Sequence, residues 1–323
     1  MKRVTFVAVA ITALFAAIAG VAANAGASSS SSGDVVTIQL LDVSDWHAQL
    51  DPNDVNGTLI GGASVISTLW QQDRASNPNT LTLTAGDAFG ASPPLSGFFD
   101  EEPAIRAMRL MGFDVDTFGN HNFDRGVAHL QRMINLAGAP SSSVAGKPFG
   151  YVSANLSKLE ENLQGVAPWR IFEVGGVKVG VVGITNPEAP GLVFPGSFGS
   201  MVPTDPVSAA NKAKARAKAA GAKVLIAITH LGIAGADPTT GEPAGPLTQF
   251  AEAVGGFDVI FGDHTDVQYE KVINNALVVE NRSKGLTYSR TFLTVDRKNG
   301  RIIERRNRFI VPLAQGVPRD AAI

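Results

Sequence analysis

From Val35 to Gly262 short apolar runs alternate with stretches of helical period, and that alternation restricts the chain to a layered α/β fold. Strand-length runs occur at Val35–Leu41, Thr80–Thr84, Val115–Phe118, Tyr151–Asn155, Val177–Ile184, Val224–Thr229 and Val259–Gly262. Helical patterns lie between them at Ala63–Ala75, Glu102–Met111, Gly126–Leu136, Pro206–Ala220 and Pro246–Val254. After residue 265 the pattern changes. Val267–Val272, Leu277–Glu280, Tyr288–Val295 and Ile302–Val311 are strand-like with no helix between them, and Asn299-Gly300 is a hairpin signal. An antiparallel element is therefore expected to close the domain. Two long loops rich in Gly and Pro, Asn186–Ser200 and Gly232–Gly245, have the length at which loops often carry function.

The N-terminus lies outside this pattern. Met1-Lys2-Arg3 precedes the uncharged run Val4–Ala23, and Ala23-Asn24-Ala25 supplies a small-x-small cleavage site. A signal peptide cleaved after Ala25 is expected; an uncleaved anchor is the competing reading, because the run exceeds a usual signal core. The expected organisation is a signal peptide at 1–25, a Ser-rich leader at 26–34, one folded domain at 35–314 and a tail at 315–323. The protein is then secreted, periplasmic or held in the cell envelope, without stable membrane insertion once cleaved.

Composition removes several chemistries. There is no cysteine, so a disulfide scaffold, a thiolate metal site and a Cys nucleophile are excluded, and any metal falls to His, Asp, Glu or Asn. Lys plus Arg is 27 against 29 acidic residues with no basic block, which argues against a nucleic-acid polymer as partner. Neither a G-x-x-x-x-G-K-[ST] phosphate loop nor a G-x-S-x-G elbow is present.

The polar residues are not scattered. Asp45 and His47 follow the first strand, Asp87 the second, Asn120 and His121 the third, His230 the sixth, and His264 and Asp266 the seventh. Ligands of open α/β sheets bind at that edge, where strand ends converge. Only His129 falls elsewhere, in a helical stretch, and is taken as structural. Residues two apart share a face of an extended chain, so Asp45 with His47, and His264 with Asp266, form two-ligand arms. Each feature alone has a plainer explanation. Gly86-Asp87 suits a turn, Asp124 suits a helix N-cap, and His230 suits a satisfied interior histidine. Together, seven N and O donors at five strand ends suit two divalent ions of intermediate hardness.

Five segments in order, LLDVSDWHAQL, TAGDAFGASPPLS, FGNHNFD, ITHLG and FGDHTD, resemble the blocks of the calcineurin-like metallophosphoesterases, in particular their 5′-nucleotidase branch. VSANL and GVKVGVVGITNPE add to the likeness, which spans residues 35–313. The resemblance implies a four-layer α/β/β/α sandwich and makes the folded domain a catalytic one. It implies two divalent ions (Mn, Zn, Mg or Fe), one held by Asp45, His47, Asp87 and Asp266, the other by Asp87, Asn120, His230 and His264. His121 would steady the transition state or protonate the leaving oxygen, with Asn120 also near the phosphate, and Asp124 would orient His121. The implied reaction is attack of a hydroxide shared by the two ions on a small-molecule phosphate monoester, a nucleotide above all. Phosphodiester hydrolysis of cyclic nucleotides or lipid headgroups is the second reading, and a degenerate domain kept for binding is the third. Two departures stand out. Asp266 replaces a neutral His or Gln ligand, which favours Mn²⁺ or Mg²⁺ over Zn²⁺. The chain also ends at Ile323, so the C-terminal domain that stacks the nucleobase in longer relatives is expected to be absent, leaving Phe194 and Phe198 as candidate stacking rings.

Overall fold

The computed structural model describes residues 34–323; the expectations for residues 1–33 fall outside them. The first sheet contains β1 (Val35–Asp42), β2 (Thr80–Leu83), β3 (Val115–Asp116), β4 (Gly150–Val152) and β5 (Val166–Ala167). The second contains β6 (Trp169–Val174), β7 (Val177–Ile184), β8 (Val224–Thr229), β9 (Val259–Gly262), β10 (Tyr269–Ile273) and β11 (Ala276–Glu280). β12 (Tyr288–Asp296), β13 (Ile302–Arg306) and β14 (Phe309–Ile310) return to the first. The strand orders are β13-β12-β1-β2-β3-β4-β5, with β14 also on β12, and β10-β11-β9-β8-β7-β6. Strands β1 to β5 run parallel, as do β7, β8, β9 and β11.

The layering follows from which side chains each strand can bury. Alternate residues of β1 (Val36, Ile38, Leu40), β7 (Val177, Val179, Val181) and β8 (Val224, Ile226, Ile228) meet in one apolar cluster between the sheets. The opposite residues of β7 and β8, Val182, Ile184, Leu225 and Ala227, pack against α4 (Pro206–Ala219) and α5 (Pro246–Ala253). On the far side, α1 (Ala63–Ser76), α2 (Glu102–Met111) and α3 (Gly126–Gly138) cover the first sheet through Trp70, Ile105, Met108, Leu130 and Met133. This is the four-layer α/β/β/α sandwich. Strands buried on both faces must be apolar almost throughout, which is why VKVGVVGI and VLIAIT show so little alternation.

All five expected helices are present, with ends displaced by at most two residues. Two expectations change. The closing strands are not one antiparallel unit, for β10 and β11 join the second sheet while β12 to β14 join the first. β11 is buried along its whole length and runs parallel to β9, with Val259 opposite Leu277. β6 also escaped the sequence reading, because Arg170 and Glu173 interrupt an edge strand that is only half buried. Its hairpin to β7 turns on Gly175 and Gly176, both at positive φ (59° and 78°), which non-glycine residues adopt at a cost. Near the C-terminus Asp320 ties the chain to α1, its Oδ2 accepting from Ser67 Oγ at 2.6 Å and Gln71 Nε2 at 2.7 Å. Among the described residues no helix is long and apolar enough to cross a membrane.

Arg109 of α2 fixes the connection that leads from α3 into β4. Its guanidinium is fully buried and donates to five carbonyls, those of Leu136, Ala137, Val144, Ala145 and Gly146. Two of these belong to the last turn of α3, where carbonyls lack helical partners. Leu136, Ala137 and Gly146 have a second donor in Ala139 N, Phe149 N and Ser141 Oγ, so Arg109→Leu strips the last donor from Val144 and Ala145; it should cost about 3 kcal/mol of unfolding free energy, checked by urea denaturation.

Candidate metal centre

Five loops meet at the C-terminal edge shared by the two sheets: those after β1, β2 and β3 from one, and after β8 and β9 from the other. Asp45, Asp87 and Asn120 are buried, and His230 is fully so. Three overlapping groups each bring ligand atoms within 4.8 Å of one another and could hold a metal ion: Asp45–His47–Asp87, Asp87–His230–His264 and Asp45–His230–Asp263.

His230 provides the test of whether an ion fits. Its Nδ1 lies 3.2 Å from the Ala85 carbonyl, which fixes the proton there and turns Nε2 inward. Around Nε2 stand Asp87 Oδ2 at 3.0 Å, Asn120 Oδ1 at 3.2 Å and His264 Nδ1 at 3.2 Å. Three lone-pair donors and an imidazole nitrogen converge on one point, more than a single proton can satisfy, whereas a divalent cation satisfies them all. His47 repeats the device: its Nδ1 donates to the Gly90 carbonyl at 2.8 Å, and its Nε2 faces Asp45 Oδ1 at 3.6 Å. The donor sets therefore fit two ions with Asp87 between them.

Charge follows the same geometry. Burial opposes ionisation of both Asp87 and His230, but their mutual attraction outweighs it, holding Asp87 down at about 2 and His230 up at about 9. Burial and neighbouring carboxylates push Asp45 well above the ordinary range. His121 differs. The hydrogen bond from Nδ1 to Asp124 Oδ2, 2.9 Å long, raises its pKa against partial burial.

The backbone is bent to make this possible. Asp45, His47, Asp87, His264 and Asp266 all have positive φ, between 39° and 89°, and such strain persists where surrounding contacts over-determine it. Asp45 and His47 thus converge through a turn beyond β1, not as alternate residues of a strand. Glycine is required at 119, where a Cβ would lie 2.2 Å from Asp87 Oδ1 and 2.6 Å from the His230 ring.

Not every expected residue joins the centre. Asp266 is exposed and belongs to none of the three groups; with φ at 89° for His264 and 60° for Asp266, the shared-face argument fails. Asp263 is the buried carboxylate there, its Oδ2 accepting from Asp45 N at 3.0 Å, so the charge argument for Mn²⁺ or Mg²⁺ loses its basis in Asp266. Phe198 is buried with its ring stacked on Phe123 at 3.8 Å, and serves to pin the 186–200 loop beside His121. Phe194 is 79% exposed. His129, its Nε2 near the Asp100 carbonyl at 2.9 Å, lies away from the ligand groups.

Sequence reasoning missed the residues that hold the loops together. Asn122 Oδ1 accepts from Asp87 N at 3.2 Å and Gly119 N at 2.8 Å, and Asp116 Oδ1 accepts from Gly86 N at 3.1 Å. The second asparagine of GNHNFD is therefore a clamp between the loops of β2 and β3.

No family model matches the chain. Among curated proteins it is 28% identical to the endonuclease YhcR of Bacillus subtilis over 84% of this chain and 23% of that protein. It is 29% identical to rat 5′-nucleotidase over 71% of this chain and 38% of that protein. The chain thus spans less than half the length of these curated relatives. A solved 5′-nucleotidase precursor from Thermus thermophilus superposes with TM-score 0.73 and 25% identity, over 88% of this chain and 56% of that one. The calcineurin-like phosphoesterase YfkN of B. subtilis gives 0.72 and 24%, over 89% and 94%. Fold and sequence agree on the class: the chain's neighbours are 5′-nucleotidases and calcineurin-like phosphoesterases, and its architecture is theirs.

Because the ligand atoms converge on one another, an ion should stabilise the folded state by linkage. Mn²⁺ or Zn²⁺ at 100 times its Kd should add about 2.7 kcal/mol, read as a rise in melting temperature that EDTA reverses.

Proposed function

We propose that this chain is an exported, dimetal-dependent phosphoesterase acting on phosphate monoesters, nucleotides foremost. The observation that carries the proposal is the His121–Asp124 pair beside the ligand cage. His121 N donates to Asp87 Oδ1 at 2.8 Å, and its ring meets the His47 ring edge-on at 5.3 Å between centroids. Asp45, His47 and Asp87 would hold one ion, and Asp87, Asn120, His230 and His264 the other. When bound, such a pair supplies Lewis acidity and lowers the pKa of a shared water.

The remaining chemistry belongs to the side chains. Asp124 occupies Nδ1 of His121, so Nε2 is the nitrogen left to face the ester. The hydrogen bond to Asp124 favours the charged ring, which can balance charge on the transferring phosphoryl group or give its proton to the leaving oxygen. Asn120 directs its carbonyl into the cage, which leaves its amide nitrogen for a phosphoryl oxygen. His121 is about one-third exposed, so the ester can reach it from solvent.

The nucleotidase relatives favour monoesters. The endonuclease relative, whose name denotes cleavage of a nucleic-acid phosphodiester, keeps diesters as a second reading and qualifies the argument from charge against nucleic acid. Export is supported by the N-terminal sequence and by the Listeria monocytogenes cell wall protein Lmo0130, 26% identical over 85% of this chain. A processed N-terminus other than Gly26 would count against cleavage after Ala25.

Hydrolysis of p-nitrophenyl phosphate beside its bis-ester, by metal-stripped protein reloaded with Mn²⁺, Zn²⁺ or Mg²⁺, separates the readings. His121→Ala should lower kcat about 10²–10⁴-fold with metal content unchanged, and Asp124→Asn should lower it less. Absence of turnover in folded, metal-loaded protein would refute the enzyme and leave the binding module.

A further inference from the structure

Glu280 ends β11 beside the metal loops, fully buried, and belongs to none of the three ligand groups. Its carboxylate reaches two loops at once. Oε2 accepts from the backbone N–H of Ile233 at 2.9 Å, three residues beyond His230. Oε1 accepts from the Thr265 hydroxyl at 2.6 Å and from Val267 N at 3.4 Å, on either side of Asp266 and directly after His264. Among the described residues no Lys or Arg forms an ion pair with it, and burial pushes its pKa up to about 8. An apolar side chain would avoid that desolvation, so the carboxylate costs stability unless it arranges something else.

What it arranges is the spacing between two loops in direct contact. A Cβ on Gly232 would lie 2.2 Å from Thr265 Oγ1 and 2.6 Å from the Asp263 carbonyl. His264 has φ of 89°, a conformation that persists only when neighbours enforce it. Two contacts do so: its own N–H donates to Asp45 Oδ2 at 2.6 Å, and the next residue is tied to Glu280. The loops so tied present His230 Nε2 and His264 Nδ1 at 3.2 Å from each other.

We propose that Glu280, through Thr265 and Ile233, is a positioning residue for the second metal site, fixing the separation of His230 and His264. The proposal rests on the dimetal reading and adds the device that holds one of its two sites in register. Neither Glu280 nor Thr265 is offered as a ligand. Both act through the imidazoles they hold, as outer partners of metal ligands do.

The test is calorimetric titration of metal-stripped protein with Mn²⁺, beside melting temperatures of the stripped forms. Wild type should bind two ions. Thr265→Val, which keeps shape and removes the hydroxyl donor, should weaken one ion about 10–100-fold and leave the other unchanged, and Thr265→Ser should restore it. Glu280→Gln, whose amide cannot accept from both loops, should weaken the same ion. Equal affinity of wild type, Thr265→Val and Glu280→Gln for both ions would overturn the proposal, as would equal weakening of both ions. Should Glu280→Gln fail to fold, the valine and serine pair still decides. A wild type that binds fewer than two ions would instead refute the dimetal reading on which the proposal stands.

Discussion

Burial of carboxyl groups at one sheet edge governs this molecule. Asp42, Asp45, Asp87, Asp116, Asp263 and Glu280 are all buried at or just past strand ends, and among the described residues none is paired with Lys or Arg. Burial pushes Asp42, Asp45, Asp116 and Asp263 well above the ordinary carboxylate range. A buried carboxylate must gain donors, a proton or a cation. Asp116 and Glu280 are answered by N–H and O–H donors, and Asp42 by Asn281 Nδ2 at 2.6 Å. Asp45 and Asp87 each stand with imidazoles in two of the three ligand groups, and a cation is the natural complement to that mixture.

The sandwich makes this concentration of charge possible. Packing two sheets face to face brings the C-terminal ends of β1, β2 and β3 against those of β8 and β9, so ligands separated by up to 219 positions along the chain meet. The outer helices close the apolar faces and leave that edge open. Rigid strands fix where each loop begins, and the loops themselves carry the left-handed residues that aim the donors inward.

Much of this was legible in the sequence because chemistry and periodicity coincide. His230 and His264 stand at the ends of apolar runs too regular to misplace, and the order of the blocks is preserved by the strand order. Four kinds of feature were not legible. Asp266 looked like a ligand by its spacing from His264, but spacing predicts direction only in an extended chain, and the backbone there is left-handed. Phe198 looked like a loop aromatic, yet its ring is taken by Phe123. Asn122, Asp116 and Glu280 bind backbone groups 30 to 47 residues away, and such partnerships leave no periodic trace. β6 was lost for the opposite reason, since an edge strand needs no continuous apolar run.

The most direct measurement is anomalous scattering from crystals of this protein grown with Mn²⁺. The account predicts two peaks sharing Asp87, one enclosed by Asn120, His230 and His264 and the other by Asp45 and His47. A single peak, or two that do not share Asp87, would contradict it.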